Sequence, residues 1–301
     1  MVRMPGGQFA MGASDFFPEE RPVRPVSVEP FWIDAHPVTN AVFGRFVRDT
    51  GYVTVAEREL DPGDFPGARA ADLVPGGLVF RRSRGPVPLE DWRRWWAYVP
   101  GANWRNPHGP GSDLNGRDHH PVIQVAYEDA ATYAAWAGKA LPSEAQWEFG
   151  ARGGLAGATF SWGAEFEPKG RRMANTWVGQ FPWQFLPGRG QTDQPATTKV
   201  GSYPPNGYGL FDMTGNVWEW TTGYFRADHG SGGSCCAPND AQRRDGPPPV
   251  EAGERHPRRV IKGGSYLCAP NYCLRYRPAA RQGQAEDTAT CHLGFRCVVP
   301  D

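Results

Sequence analysis

The chain has 301 residues, 40% of them hydrophobic, and its 32 Lys and Arg side chains balance its 32 Asp and Glu, so the formal net charge is zero. A neutral chain offers no electrostatic case for nucleic acid or an anionic membrane surface as a partner. The 12 Trp and 16 Phe residues need an apolar core, while the 38 Gly and 30 Pro residues predict many turns. No apolar run has the length of a signal peptide or a membrane helix, so we expect a cytoplasmic protein.

The apolar pattern predicts helices only in the first half of the chain. Alternating residues over Val2 to Met11, around a Pro-Gly-Gly turn, are typical of a β-hairpin. Three later segments carry apolar residues at helical spacing between a capping or acidic start and a closing glycine. They run from Thr39 or Asn40 to Gly51, from Glu128 to Gly138, and from Ser143 to Gly153.

The second half is predicted to consist mostly of turns and loops. Two glycine-rich strands are expected, around Val260 to Leu267 and around Leu293 to Val299. Residues 227–258 are polar and contain three consecutive prolines, which predicts a mobile surface excursion. No fixed-period repeat occurs and no linker separates two core-sized segments, so we expect one domain over residues 1–301.

Motifs of the common hydrolases, nucleotide-binding proteins and dehydrogenases are missing. The sequence has no phosphate-binding loop, no Rossmann glycine fingerprint, no zinc-binding His-Glu-x-x-His helix and no nucleophile elbow. Its seven histidines include one adjacent pair, His119-His120, which stands between Asp118 and Pro121. We expect that pair to lie in a surface loop rather than in a metal site.

The remaining chemical candidate is a pair of cysteines, Cys268 and Cys273. The Pro270-Asn271 dipeptide between them favours a turn, which can bring both sulfurs to one point. Two thiolates with no adjacent His or carboxylate suit a soft ion of low coordination number such as Cu(I), whereas zinc needs two more ligands. The charges of Arg275 and Arg277 favour the thiolate forms. The spacing alone equally fits a buried thiol pair or an adventitious disulfide.

Several segments resemble the formylglycine-generating enzymes, also called sulfatase-modifying factors. Broad matches include Pro5 to Gly12, Leu141 to Glu148, Gly215 to Trp220 and Gly294 to Cys297. The more specific signature is Gly-Gly-Ser-x-x-Cys-x-x-x-x-Cys-x-Arg-Tyr-Arg, at residues 263–277. The resemblance implies a single-domain α+β fold with little regular secondary structure, related to C-type lectin-like folds.

The resemblance also implies a copper(I)-dependent oxidase that converts a cysteine of client sulfatases to Cα-formylglycine. Cu(I) would be held by two thiolates, the client cysteine would add a third, and O₂ would be the co-substrate. The client would be an unfolded sulfatase segment with a Cys-x-Pro-x-Arg motif, bound in an extended conformation. The residues implied are the catalytic Cys268, Cys273, Ser265 and Tyr272, with Trp218 and Arg275 in the substrate pocket.

A structural Ca²⁺ is the second cofactor that the resemblance implies. Its ligands would be the side chains of Asp212 and Glu219 and the carbonyls of Gly215 and Val217, all of them hard oxygen donors. A tight turn with solvated carboxylates is the alternative interpretation. A further Ca²⁺ site would use Asn175, Thr176 and Asp193, although the segment after Thr176 departs from the family in length and composition.

Two other functions are compatible with the same scaffold. One is a non-haem iron sulfoxide synthase-type oxidase, which carries an extra N-terminal helical domain with a His-rich motif. The other is a non-catalytic lectin-like binding module, which would not need the cysteine pair. Ala269 stands where relatives often have His, and most cysteines that form disulfides in secreted members are missing. This favours a cytoplasmic form and leaves Cys291 and Cys297 unexplained; for Cys235-Cys236 we expect a plain surface loop.

Overall fold

The computed structural model describes residues 1–188, 192–227, 247–248, 250 and 255–301. Most of the segment predicted as a surface excursion, including Cys235 and Cys236, lies outside the described residues. In the described ranges the α-helices are α1 (Asn40–Thr50), α2 (Tyr127–Trp136) and α3 (Glu144–Arg152). Short 3₁₀ helices are formed by Pro18–Glu20, Val55–Glu57, Pro62–Asp64, Ala70–Asp72, Trp92–Arg94 and Pro168–Gly170.

The strands form small sheets rather than one large layer. One sheet has the order β1 (Val2–Met4), β4 (Phe31–Ile33), β11 (Val298–Pro300), and two further pairs are β2 (Gly7–Met11) with β3 (Arg24–Val28) and β5 (Gly76–Phe80) with β6 (Trp96–Pro100). The four-stranded sheet has the order β10 (Leu293–Gly294), β7 (Trp218–Tyr224), β8 (Arg258–Lys262), β9 (Arg281–Ala285). Its β10–β7 pair is parallel and its other pairs are antiparallel.

The cap of α3 and the closing glycines of α1 and α3 are present as predicted, but the Thr39 side chain makes no capping hydrogen bond at the start of α1. The Ser143 hydroxyl accepts from the Gln146 N–H at 3.1 Å, and the Gln146 side chain accepts from the Ser143 N–H at 2.9 Å. The buried Asp129 carboxylate accepts from the Ala126 N–H at the start of α2, at 2.8 Å. Gly51 ends α1 with φ of 69° and Gly153 ends α3 with φ of 58°, the left-handed conformation that glycine adopts without strain.

Two strand predictions are wrong in part. β1 and β2 do not form a hairpin; they pair with β4 and β3 in different sheets. The Pro-Gly-Gly segment instead carries the chain from one sheet to the next. At Gly6, φ is 69° and a Cβ atom would lie only 2.7 Å from the Val28 carbonyl oxygen, so this passage requires glycine. The strand expected to reach Leu267 ends at Lys262, before two glycines that turn the chain.

The core combines aromatic side chains with buried ion pairs. The largest apolar cluster lies between α1, α2 and the four-stranded sheet, and it includes Cys268. Behind β8, the buried Lys262 ammonium contacts Glu148 at 3.0 Å, and Arg152 contacts the same carboxylate at 2.6 Å. Burial alone would favour the protonated acid, but these two cations hold the pKa of Glu148 below its usual range. Within the described ranges, no helix is both long and apolar enough to cross a membrane.

Ser143→Ala removes the cap of α3 and is expected to lower the free energy of unfolding by about 1 kcal/mol. Ser143→Thr is the matched control, because it keeps the hydroxyl acceptor and should stay close to the parent protein. Urea-induced unfolding followed by circular dichroism measures the difference. If the alanine and threonine variants lose equal stability, the hydroxyl does not cap the helix.

Candidate functional site

A cavity of about 220 Å³ opens beside the loop that follows β8, and we call it the thiol cavity. All six residues that the sequence analysis assigned to the active site line it: Ser265, Cys268, Tyr272, Cys273, Trp218 and Arg275. Sequence reasoning missed the other lining residues, most of which come from distant segments: Phe17, Trp95, Trp96, Phe181, Leu267, Gln282 and His292. The structure therefore brings the assigned residues together and adds an aromatic wall.

The chain enters this site through two consecutive glycines after Lys262. Gly263 and Gly264 have φ of 94° and 69°, a region that side chains with Cβ rarely adopt. A Cβ atom on Gly263 would lie 2.9 Å from the Met213 carbonyl oxygen, and one on Gly264 would lie 2.8 Å from that of Arg275. The start of the loop thus packs directly against its end, which closes residues 265–277 into a compact unit. We call this unit the thiol loop.

The predicted turn between the two cysteines is present. The Ala269 carbonyl accepts from the N–H groups of residues 272–274, at 3.1 to 3.2 Å. The Asn271 side chain clamps the backbone of Phe181 from both sides, accepting from its N–H and donating to its carbonyl, each at 3.2 Å. The turn folds Cys273 back beside Cys268 and ties the thiol loop to the aromatic wall.

The two sulfurs hydrogen-bond each other. Burial raises the pKa of Cys268 well above its usual value, and the hydrogen bond with Cys273 raises it further. At Cys273 burial acts in the same direction, but the hydrogen bond from Cys268, backbone N–H groups and the charge of Arg275 together lower the pKa. The pair therefore favours a thiolate on Cys273 next to a thiol on Cys268.

The two arginines of the signature have different roles. Arg275 lines the thiol cavity, where its guanidinium contacts the Glu19 carboxylate at 2.6 Å. Arg277 is buried and binds both oxygens of the buried Glu20 carboxylate, at 2.5 and 2.8 Å. Its charge is paired there, whereas the charge of Arg275 is among the influences that lower the pKa of both thiols.

The aromatic wall holds Tyr272 in a fixed orientation. Its ring stacks on Phe181 with centroids 4.6 Å apart, and it meets the edge of Trp95 at 5.4 Å. Burial, followed by the neighbouring thiols, raises the pKa of Tyr272 to about 12, so its hydroxyl stays protonated near neutral pH. The Ser265 N–H donates to the Cys268 sulfur at 3.4 Å.

Among the lining residues that sequence reasoning missed, His292 has the side chain with the widest range of possible chemistry. Its Nδ1 lies 2.7 Å from the Thr290 hydroxyl, and its ring packs on Trp96 at 4.8 Å. Burial lowers the pKa of His292 to about 3, so its imidazole is neutral near pH 7. The sequence offered one weak signal, its position two residues before the Gly294-to-Cys297 segment that resembles the family.

The carboxylates expected to bind Ca²⁺ are both buried, so the alternative of a turn with solvated carboxylates is wrong. Glu219 accepts from Arg296 at 2.7 and 2.8 Å and from the Trp147 indole N–H at 2.8 Å. Asp212 accepts from the Gly201 N–H at 2.7 Å. Burial raises the pKa of Asp212, and among the described residues no cation forms an ion pair with its side chain.

The four groups expected to bind Ca²⁺ are all oxygen donors that suit a hard cation, but they are not equally available to it. Gly215 and Val217 lie in the tight loop before β7, where Gly215 has φ of 80° and packs against the Asn175 carbonyl. Their carbonyls and the Asp212 carboxylate are oxygen donors of the kind that Ca²⁺ prefers. The Glu219 carboxylate would have to share such an ion with Arg296.

The residues expected at a further Ca²⁺ site are only partly brought together. Asn175 and Thr176 are buried, and the Asn175 side-chain N–H₂ donates to the Ala196 carbonyl at 2.9 Å. Asp193 is exposed, and its backbone carbonyl accepts from Arg82 at 3.0 Å. In the described part of the chain, no group of three or more His, Cys, Asp and Glu side chains converges in a geometry that could hold a metal.

Comparisons with known proteins extend over nearly the whole chain. The sulfatase-modifying factor enzyme 1-like domain matches residues 1–300. The formylglycine-generating enzyme of Mycobacterium tuberculosis is 52% identical, over 99% of this chain and 97% of that protein. The inactive C-alpha-formylglycine-generating enzyme 2 of Bos taurus is 37% identical, over 99% of this chain and 85% of that protein.

A solved structure supports the fold prediction. PvdO from Pseudomonas aeruginosa superposes with a TM-score of 0.62 at 24% identity, covering 100% of this chain and 94% of that one. At this identity the likeness shows a shared fold and carries no argument about chemistry. The predicted α+β fold with short sheets and few helices is confirmed.

The four described cysteines are expected to differ sharply in reactivity when the protein is reduced and metal-free. Cys273 is partly exposed and ionises most easily, so iodoacetamide should modify it roughly tenfold or more faster than Cys268. The buried Cys291 and Cys297 should remain unmodified. Peptide mass spectrometry after timed labelling measures the order, and labelling in denaturant, where all four should react alike, is the control. Modification of Cys268 before Cys273 would contradict the assigned thiol pair.

Proposed function

The chain belongs to the sulfatase-modifying factor enzyme family, and we propose that it is a formylglycine-generating enzyme. In this proposal it is an oxidoreductase that uses Cu(I) and O₂ to convert the cysteine of a Cys-x-Pro-x-Arg motif, in a client sulfatase, to Cα-formylglycine. A relative named as inactive shares the family, so membership alone does not establish catalysis. The observation that carries the proposal is the Cys268–Cys273 pair on the wall of an open cavity.

The thiol pair fits the proposed copper ion. Cys268 and Cys273 would hold it, because two sulfurs that already contact each other can bind one soft ion with little rearrangement. Across the described ranges, no third His, Cys, Asp or Glu joins them in a closed ligand set. One side of the ion would thus remain open for the client, as a catalytic site requires. When bound, Cu(I) supplies the redox chemistry with O₂.

The remaining cavity residues would bind and orient the client cysteine. A cavity of about 220 Å³ has room for a short side chain and adjacent backbone rather than for a folded domain. Trp218 and the aromatic wall would exclude water from the reacting thiol. The protonated Tyr272 hydroxyl would donate a hydrogen bond, while Ser265 supports Cys268 through its backbone N–H. The pairing of Arg275 with Glu19 fixes the guanidinium at the rim.

We also propose a structural Ca²⁺ and a cytoplasmic location. Asp212 and Glu219, with the carbonyls of Gly215 and Val217, would hold the ion and fix the loop before β7. The additional site at Asn175, Thr176 and Asp193 has less support, because Asp193 is exposed. The described cysteines are all free thiols, which suits a reducing compartment.

Cys268→Ser and Cys273→Ser are each expected to reduce turnover by more than about 100-fold. Loss of a residue that only hydrogen-bonds to a metal ligand already lowers metal affinity or activity about 10–100-fold, and these two cysteines would be the ligands themselves. The assay incubates copper-loaded protein in air with a Cys-x-Pro-x-Arg peptide and follows conversion of the thiol to the aldehyde by mass spectrometry. Cys235→Ser is the matched control and should keep full activity.

Parent-level activity of the Cys273→Ser variant would exclude the assigned role. Parallel incubations with Fe(II) test the sulfoxide synthase-type alternative, which predicts activity with iron instead of copper. Binding of the peptide without turnover under either metal would instead favour the binding module.

Calcium is expected to stabilise the chelator-treated protein, by about 2.7 kcal/mol when free Ca²⁺ is 100 times its dissociation constant. Asp212→Asn should abolish this stabilisation, because the amide keeps the bond from the Gly201 N–H but removes the charge. The control is Asp49→Asn, at an exposed carboxylate near the end of α1. Thermal unfolding measures the effect, and an unchanged melting temperature of the parent protein with and without Ca²⁺ would refute the site.

A further inference from the structure

A second cavity, of about 320 Å³, shares no lining residue with the thiol cavity, and we call it the cationic cavity. It is lined by two cations, Arg117 and Lys199, and otherwise by hydroxyl, amide and imidazole groups and two apolar side chains. In the described part of the chain, none of its lining residues is Asp or Glu. The lining residues other than Arg117 and Lys199 are His120, Phe185, Thr192, Gln194, Ala196, Thr197, Thr198 and Ser202.

The positive charge of this cavity is not compensated by the described residues. Neither Arg117 nor Lys199 forms an ion pair with a carboxylate in the ranges that the structure describes. The described hydrogen bonds of Arg117 are made by its backbone, whose carbonyl accepts from the Asn40 side chain at 2.9 Å. Asp118 and Asp193 are the acidic neighbours along the chain, but both are exposed and neither lines the cavity.

The pKa of His120 is affected by the same positive charges. Its Nδ1 lies 2.9 Å from the Thr197 hydroxyl. Burial, followed by the charges of Arg117 and Lys199, lowers the pKa of His120 to about 4. The imidazole is therefore neutral near pH 7, and the charge that a ligand would meet is that of the arginine and the lysine.

Thr198 lines the cavity and has a hydroxyl without a hydrogen-bond partner. The oxygen of this hydroxyl is buried. Its backbone is held firmly, because its N–H donates to the Asn216 side chain at 2.9 Å and its carbonyl accepts from that side chain at 3.2 Å. The other threonine and serine hydroxyls of the cavity already have partners. A buried polar atom without a partner is costly, so a hydrogen bond from a bound ligand or water would stabilise it.

We propose that the cationic cavity binds a small molecule that carries a phosphate or sulfate group. Two uncompensated cations and a free hydroxyl donor match a dianionic oxyanion with several acceptor oxygens. The cavity is larger than such a group alone, and Phe185 offers an apolar surface for an organic substituent. A nucleic acid is not the ligand that these features favour, because two cations beside one cavity of a neutral chain do not form an extended basic surface.

This ligand would lie behind the thiol loop. Phe185 packs on Trp177 with ring centroids 5.1 Å apart, and the Trp177 N–H donates to the Cys268 carbonyl at 3.0 Å. The inference goes beyond the proposed oxidase function and does not depend on it, since it concerns binding at a separate cavity.

Isothermal titration calorimetry of the full chain at constant ionic strength tests the proposal, with inorganic phosphate, inorganic sulfate and phenyl phosphate as probes. Direct binding is measured because sulfate and phosphate stabilise most proteins nonspecifically. We expect one saturable site. Lys199→Ala should weaken the affinity of this site about tenfold and Thr198→Val about threefold or more. The lysine has the larger effect because charge-assisted hydrogen bonds contribute more free energy than neutral ones. Arg45→Ala removes one charge from the exposed face of α1 and should bind like the parent.

Tighter binding of phenyl phosphate than of phosphate would support an ester as the ligand, and equal binding would support the free oxyanion. Absence of saturable binding for all three probes would overturn the proposal. Equal affinity of the parent, Lys199→Ala and Thr198→Val proteins, each shown to be folded by circular dichroism, would also overturn it.

Discussion

The close approach of backbone to backbone at Gly263 and Gly264 is the constraint on which the site depends. At these two positions the chain leaves β8, reverses in a conformation that side chains with Cβ rarely adopt, and packs against the end of its own loop. A methyl group at Gly264 would collide with the Arg275 carbonyl, and the collision would separate the two ends of the thiol loop. The convergence of Cys268 and Cys273 is thus a property of the loop's closure rather than of any strand or helix.

Buried ion pairs replace the long-range order that large sheets give to other proteins. Arg277 with Glu20, Arg296 with Glu219, and Lys262 with Glu148 are each almost fully buried, and each joins segments far apart in sequence. Such pairs add little net stability because both ions lose their hydration, but a mispaired arrangement leaves a bare charge inside the protein. We infer that they mainly select one arrangement of the loops.

The sequence predicts the features that arise from neighbours along the chain. The caps at Ser143 and Gly51, and the turn between the two cysteines, are local, and the structure has them where the patterns place them. β9 escaped prediction because Arg281–Ala285 is polar and glycine-containing, and pairing with β8 alone makes it a strand. The hairpin predicted around the Pro-Gly-Gly segment is absent for the same reason, because Gly6 packs closely against the backbone of Val28, which lies far along the chain.

Features assembled from distant segments could not be predicted at all. The position of His292 beside Trp96, and the meeting of Arg117 with Lys199 and Thr198 around one cavity, depend on tertiary packing. The resemblance to a known family named the cysteines and the carboxylates as a set, which residue patterns alone had left open.

The contact between Glu20 and Arg277 spans 257 positions, and it has a consequence for how the protein is made. A ribosome releases the chain from its N-terminus, so Glu20 emerges 257 residues before its arginine. Helices and local turns form early during translation, whereas contacts of such sequence separation form slowly and late. The part of the thiol cavity that Phe17 and Arg275 line together can therefore form only after both segments have been synthesised.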